Sequence, residues 1–174
     1  MHARSAAPFC LSTNMDYIDK EILVLGCGNI LFGDDGFGPE VVQYLQKNYD
    51  IPPHVYVGDA GLSVRKILFN IVLSETKPKK IIIVDAVDLG KPAGSTFQLD
   101  VDEMPEIKCD DFSMHQVPTS NLLKELKNFC EVDVKIIASQ VQYIPEEVSP
   151  GLSSVIRDSI PAACEMILEE MSLL

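Results

Sequence analysis

Paired cysteines are missing from this chain. Its five cysteines, at 10, 27, 109, 130 and 164, are scattered and never spaced C-x-x-C. That spacing argues against a disulfide framework and against a zinc knuckle, and reduced thiols in a cytoplasmic setting become the expectation. Basic residues are scarce too: 14 Lys and Arg stand against 26 Asp and Glu, a formal net charge of -12. Such a surface repels nucleic acid and anionic membranes, leaving proteins or small molecules as the expected partners. No apolar run approaches the ~20 residues that cross a bilayer. Residues 1–20 lack the apolar core of a secretory signal and read as a poorly ordered extension, with Met15 as an alternative start. Residues 21–174 are expected to form one domain, long enough to bury a core.

Several catalytic signatures are absent as well. There is no Gly-Lys-Ser or Gly-Lys-Thr, so no Walker-type loop, and no His-Glu-x-x-His helix of the zinc proteases. The Asp-Thr-Gly repeats of pepsin-like enzymes do not occur. A dinucleotide turn needs glycine at its first, third and sixth positions; Gly26 and Gly28 fit, but the sixth position is Leu31. Asp34 and Asp35 would also repel a phosphate at that turn.

What is present is a regular alternation of strand and helix signals, which predicts βαβ units. Strands are expected at Ile22 to Cys27, His54 to Asp59, Ile81 to Val84, Thr96 to Leu99 and Val132 to Ser139. Helices are expected from Asp35 to Tyr49, Leu62 to Leu73, Pro118 to Phe129 and Leu152 to Met171, the last kinked or split by Pro161. A long acid-rich surface loop should run from Asp100 to Met114. The unbroken apolar run Ile81-Ile82-Ile83-Val84 implies burial on both faces. The fold class is therefore α/β, a three-layer αβα sandwich around a twisted, largely parallel sheet of about five strands.

Open α/β sheets place their chemistry beyond the carboxyl ends of the strands. Asp35 follows strand one, Asp59 ends strand two, Asp85 ends strand three, and His115 precedes a helix. Two carboxylates and an imidazole suit a divalent metal such as nickel, zinc or iron. Each residue also has a structural reading. Asp34 stands where an Asx cap would serve the next helix, a role for which a second acid, Asp35, is not needed. Asp59 is expected to cap the helix after strand two, and Asp85 can bond amides in its own turn. His54 reads as a surface residue, His2 lies in the extension, and Cys27 reads as a small buried residue.

The run Gly26-Cys27-Gly28-Asn29-Ile30-Leu31-Phe32-Gly33-Asp34-Asp35-Gly36-Phe37-Gly38 resembles the opening motif of the hydrogenase maturation endopeptidases. The likeness continues through Asp59-Ala60-Gly61, Val84-Asp85-Ala86 and Met114-His115-Gln116, in the right order. The Asp-Asp-Gly form and Ser113-Met114-His115-Gln116-Val117 are most similar to the enzyme serving the coenzyme F420-reducing nickel–iron hydrogenase. The resemblance implies an endopeptidase, aspartic-type by family usage. Its reaction would remove a C-terminal peptide from the large-subunit precursor after nickel insertion. It implies that nickel, carried by the substrate, meets Asp35, Asp85 and His115, with Asp35 and Asp85 as the catalytic pair. Many relatives carry Glu where this chain has Asp35, so the backbone or a water must span the missing methylene. A cytoplasmic monomer is expected. Two other readings stay open: a noncatalytic nickel-sensing chaperone of the large subunit, and a cysteine-dependent hydrolase or redox enzyme using Cys27.

Overall fold

Alternating side chains of the central strands feed two separate cores, and this alternation dictates the layers. Ile22 and Val24 pack to one side with Ile82, Val84, Ala86 and Ile137. Leu23, Leu25 and Cys27 pack to the other with Ile81, Ile83, Val134, Ile136 and Ala138. Strands apolar at every position must be covered on both faces, and helices cover both here.

The computed structural model describes residues 16–103 and 117–173. Its order is β1 (Ile22–Cys27), α1 (Phe37–Asn48), β2 (Val55–Gly61), α2 (Val64–Leu73), β3 (Lys80–Val87), β4 (Thr96–Leu99), α3 (Val117–Phe129), β5 (Asp133–Gln140) and α4 (Ser154–Ser172). Short 3-10 turns occupy Gly33–Gly36 and Val101–Glu103. The sheet runs β2-β1-β3-β5-β4; its first four strands are parallel and β4 is antiparallel to β5. Helices α1 and α4 cover one face through Phe37, Val41, Leu45, Ile156, Ile160, Ala163 and Ile167. Helices α2 and α3 cover the other through Val64, Leu68, Ile71, Leu123 and Leu126. This is the expected three-layer αβα sandwich of five strands. Tyr17 also packs into the second core, and its hydroxyl accepts a hydrogen bond from Asn70. Among the described residues no helix is long and apolar enough to cross a membrane.

Three expectations about elements change. The first helix does not begin at Asp35: a 3-10 turn fills 33–36 and the α-helix starts at Phe37. Strand β2 does not stop at Asp59 but pairs with β1 through Gly61, across a register shift at Gly26/Cys27. Helix α4 runs unbroken through Pro161. Pro161 and Arg157 are both exposed, so the carbonyl that loses its partner four residues back can face water rather than break the helix. Of the long acidic loop, only its start is described, and 104–116 lie outside the described residues.

The N-terminus of α1 sits directly on the strand ends because Gly38 has no side chain. A Cβ there would lie 2.2 Å from the Cys27 carbonyl oxygen and 2.4 Å from that of Val84. Glycine costs a helix about 1 kcal/mol. Burial of Phe37, Val41 and Leu45, worth roughly 2 kcal/mol each, outweighs that cost. Gly38→Ala is expected to lower unfolding stability by roughly 3 kcal/mol, at the upper end of overpacking effects, because both neighbours are backbone. Urea unfolding against the parent protein measures it.

Candidate functional site

The parallel register sets the site. Gly26 of β1 pairs with Val84 of β3, so the turn after β1 and the last residues of β3 meet at one rim. In the turn, Gly28 adopts φ +115 and a Cβ on it would lie 1.9 Å from the Asp35 carbonyl oxygen; only glycine allows that closure. The Asn29 N–H then reaches across the turn, donating to Asp35 Oδ2 at 2.8 Å and to the Asp35 carbonyl at 3.2 Å. The Asp35 carboxylate is thereby aimed by the backbone of its own loop.

Asp85 lies within β3, two residues before its end. Its Oδ1 accepts the Ala86 N–H at 2.8 Å, the amide bond expected of an Asp in this position. That bond does not exhaust its role. Desolvation, and then the nearby charge of Asp35, push the Asp85 carboxyl up from the ordinary 3.8 to about 7. The structure therefore brings Asp35 and Asp85 into electrostatic contact. Two carboxylates in one partly dry site share a proton or a cation.

Asp59 belongs to the same rim but does not cap α2. The N-cap of α2 is Ser63, without a side-chain cap bond. Asp59 is exposed, with desolvation raising its carboxyl and a hydrogen bond from the Gly61 amide opposing that rise. Cys27 is 5% exposed, and its thiol donates to the Leu25 carbonyl oxygen, which lies 3.8 Å from Sγ. Burial, then the charges of Asp85, Asp59 and Asp35, push the Cys27 thiol well above its ordinary range. A nucleophilic cysteine needs the opposite shift, so the structure counts against a Cys27 mechanism and bears out its reading as a packed residue.

Asp34 departs most from expectation. The 3-10 turn receives no side-chain cap; Asp34 is buried and accepts the N–H groups of Gln142 and Tyr143, each at 2.9 Å, from the loop after β5. It also accepts the Ser153 N–H at 2.7 Å and the Ser153 hydroxyl at 3.0 Å. Gln140 ends β5, one residue beyond the expected strand end at Ser139. It is 3% exposed, and its Oε1 accepts the amides of Leu89 and Lys91 while its Nε2 donates to Asp88. Gln140 thus shapes the loop just beyond Asp85. Its lone amide, set among polar neighbours, gives no periodic signal in the sequence.

Among the described residues no group of three or more His, Cys, Asp or Glu is arranged to hold a metal ion. His115, the expected third ligand, lies outside the described residues. The described part of the predicted constellation is the pair Asp35 and Asp85, with Asp59 nearby.

Comparison with known proteins gives this geometry a lineage. The family model described as hydrogenase maturation protease matches residues 39–170. A Methanocaldococcus jannaschii protein bearing a hydrogenase maturation protease name is 42% identical over 153 residues, covering 87% of this chain and 97% of its own. The coenzyme F420 hydrogenase subunit delta of Methanothermobacter thermautotrophicus is 38% identical, over 89% of this chain and 97% of its own. Among solved structures, the hydrogenase maturating endopeptidase HybD from Escherichia coli superimposes with a TM-score of 0.70 at 27% identity, covering 87% of this chain and 92% of that one. The chain belongs to the hydrogenase maturation protease family.

The Asp85 carboxyl makes the pH dependence of stability explicit. It ionises near 3.8 when unfolded and near about 7 when folded. Its protonated form therefore stabilises the fold below pH 4, and this contribution is lost progressively as pH rises to 7. Asp85→Asn has no such proton to lose. Relative to the parent, the variant is expected to gain about 2–4 kcal/mol between pH 4 and pH 8. Urea unfolding at both pH values, with chelator present, checks this.

Proposed function

We propose that this chain is an endopeptidase that removes a C-terminal peptide from the nickel-loaded large-subunit precursor of a nickel–iron hydrogenase. The observation that carries this reading is the Asp35–Asp85 pair, two carboxylates at one rim with Asp85 held near about 7. A divalent cation brought by the substrate replaces the proton on such a pair and draws it into coordination. Carboxylate oxygens suit a divalent ion with open positions, and His115 is the proposed nitrogen ligand. An unloaded precursor offers these groups nothing to bind, which explains how cleavage would wait for metal insertion. The relative named as subunit delta of the coenzyme F420 hydrogenase supports the F420-reducing enzyme as the client. We place the reaction in the cytoplasm, carried out by a monomer.

Chemically, attack of water on the scissile carbonyl needs a proton acceptor and stabilisation of the developing oxyanion. A carboxylate oxygen of the pair that is not bound to the ion accepts that proton, in keeping with the aspartic-type assignment that the family likeness implies. The substrate's nickel polarises the carbonyl when it is held beside the pair. The proton then passes to the leaving amine.

The test mixes the protein with large-subunit precursor, with and without nickel, and follows both products by mass spectrometry. A fixed loss from the precursor's C-terminus, only when nickel is loaded, is expected. Stable binding without any loss of mass would instead identify a noncleaving chaperone. Asp35→Asn and Asp85→Asn are each expected to lower kcat by roughly 100-fold or more, while Cys27→Ser stays within about threefold of the parent.

A further inference from the structure

We propose that Asp34 is a positioning residue: it locks the loop between β5 and α4 onto the turn that carries Asp35, and so fixes the Asp35 carboxylate at the rim. Asp34 is 1% exposed, and a carboxylate that buried persists only where its lone pairs are filled. Here they are filled by donors from a single distant segment: the amides of Gln142, Tyr143 and Ser153 and the Ser153 hydroxyl. Ser153 is also the N-cap of α4, and its own side chain makes no cap bond. The negative charge of Asp34 takes that place at the positive end of α4.

The backbone repeats the same join. The Gly33 N–H donates to the Ser149 carbonyl at 2.9 Å, the Ser149 N–H to the Leu31 carbonyl at 2.9 Å, and the Asp34 N–H to the Tyr143 carbonyl at 3.4 Å. Phe32 and Ser149 form an isolated parallel bridge. Residues 31–34 are thus stitched along their length to 143–149. Asp35 is the next residue, and the Asn29 N–H that seats its Oδ2 closes the same turn from the other side. If 31–34 are released from the loop, the turn loses this anchor and Asp35 loses its fixed seat. Displacements of about 1 Å at a reacting group can cost roughly 100-fold in rate.

The kinetic part of this inference rests on the proposed peptidase reading; the structural part does not. Asp34→Asn is the mild variant. Its amide oxygen can take three of the four donors, while its NH2 must face the fourth. Ser153→Ala is milder still, removing one hydroxyl donor and leaving Asp34 charged. Amide hydrogen exchange followed by NMR on the full chain, without substrate, reads the seat directly. In Asp34→Asn, exchange is expected to rise at least tenfold at Gln142, Tyr143 and Ser153, and also at Asn29, whose N–H is bonded to both the carboxylate and the carbonyl of Asp35 and so reports on the closure of the turn onto that residue. Ser153→Ala should show the same pattern at smaller amplitude. A purely structural clasp would open the loop amides and leave Asn29 protected, and that result overturns the proposal.

In the cleavage assay, kcat per folded molecule should fall roughly 100-fold in Asp34→Asn and severalfold in Ser153→Ala, with KM changed less than about threefold. Unchanged kcat in a folded Asp34→Asn would also overturn the proposal. If the parent protein does not cleave at all, the peptidase reading fails, and the Asn29 exchange result alone decides the role of Asp34. Should Asp34→Asn not fold, Ser153→Ala carries the same two readouts.

Discussion

The absent side chain at Gly38 governs how the rest of the molecule is placed. With nothing on its Cα, the first turn of α1 rests on the carbonyls of Cys27 and Val84. The chain between β1 and α1 must then close within a few residues directly above the strand ends. That closure uses Gly28 in a backbone conformation that residues with side chains rarely adopt. It leaves Asp35 at the rim, close enough for its charge to raise the Asp85 carboxyl, with its Oδ2 held by the Asn29 amide. Close packing of helix on strand and the placement of the acids are one geometric fact.

Charge is distributed along the strand axis with a clear polarity. At the start of β3, buried Lys80 pairs with Glu170 at 3.0 Å and Asp133 at 3.5 Å, and neighbouring Lys79 pairs with Glu21. At the far end of the same strand, Asp85, Asp35 and Asp59 lie close enough to influence a shared neighbour, the Cys27 thiol. One pole of the sheet has its acids neutralised by lysines. The other keeps two carboxyl groups close together, with desolvation and the Asp35 charge pushing the Asp85 carboxyl up to about 7.

The sheet and its covering helices were legible in the sequence because burial leaves a periodic mark. Ile81-Ile82-Ile83-Val84 could only be a strand covered twice, and the helical stripes identified the covers. The acids beyond the strands were legible because topology alone brings parallel strand ends together. Other features left no such mark. Ala60-Gly61 gives no strand signal, yet β2 runs on through it and pairs with β1 across a bulge, because a neighbouring strand overrides local propensity. Asp34 looked like a helix cap by position, but its partner Ser153 is 119 residues away, and no local pattern reports contacts at that range. Gln140 was silent for the same reason. Pro161 suggested a kink or a split; the helix is not split there, because Pro161 falls on the exposed face of α4, where the lost bond is least costly.

The Lys80–Glu170 ion pair has a practical side. It ties the last turn of α4 to the beginning of β3, whereas Asp85 sits five residues further along that strand, about 16 Å away at ~3.3 Å per residue. The Glu21 carbonyl, which receives the Lys79 and Lys80 amides, marks the same far pole for the start of β1. Surface immobilisation through a handle appended to the C-terminal Leu174, just beyond the last turn of α4, would therefore grip the molecule by its back. The acidic rim would be left facing outward.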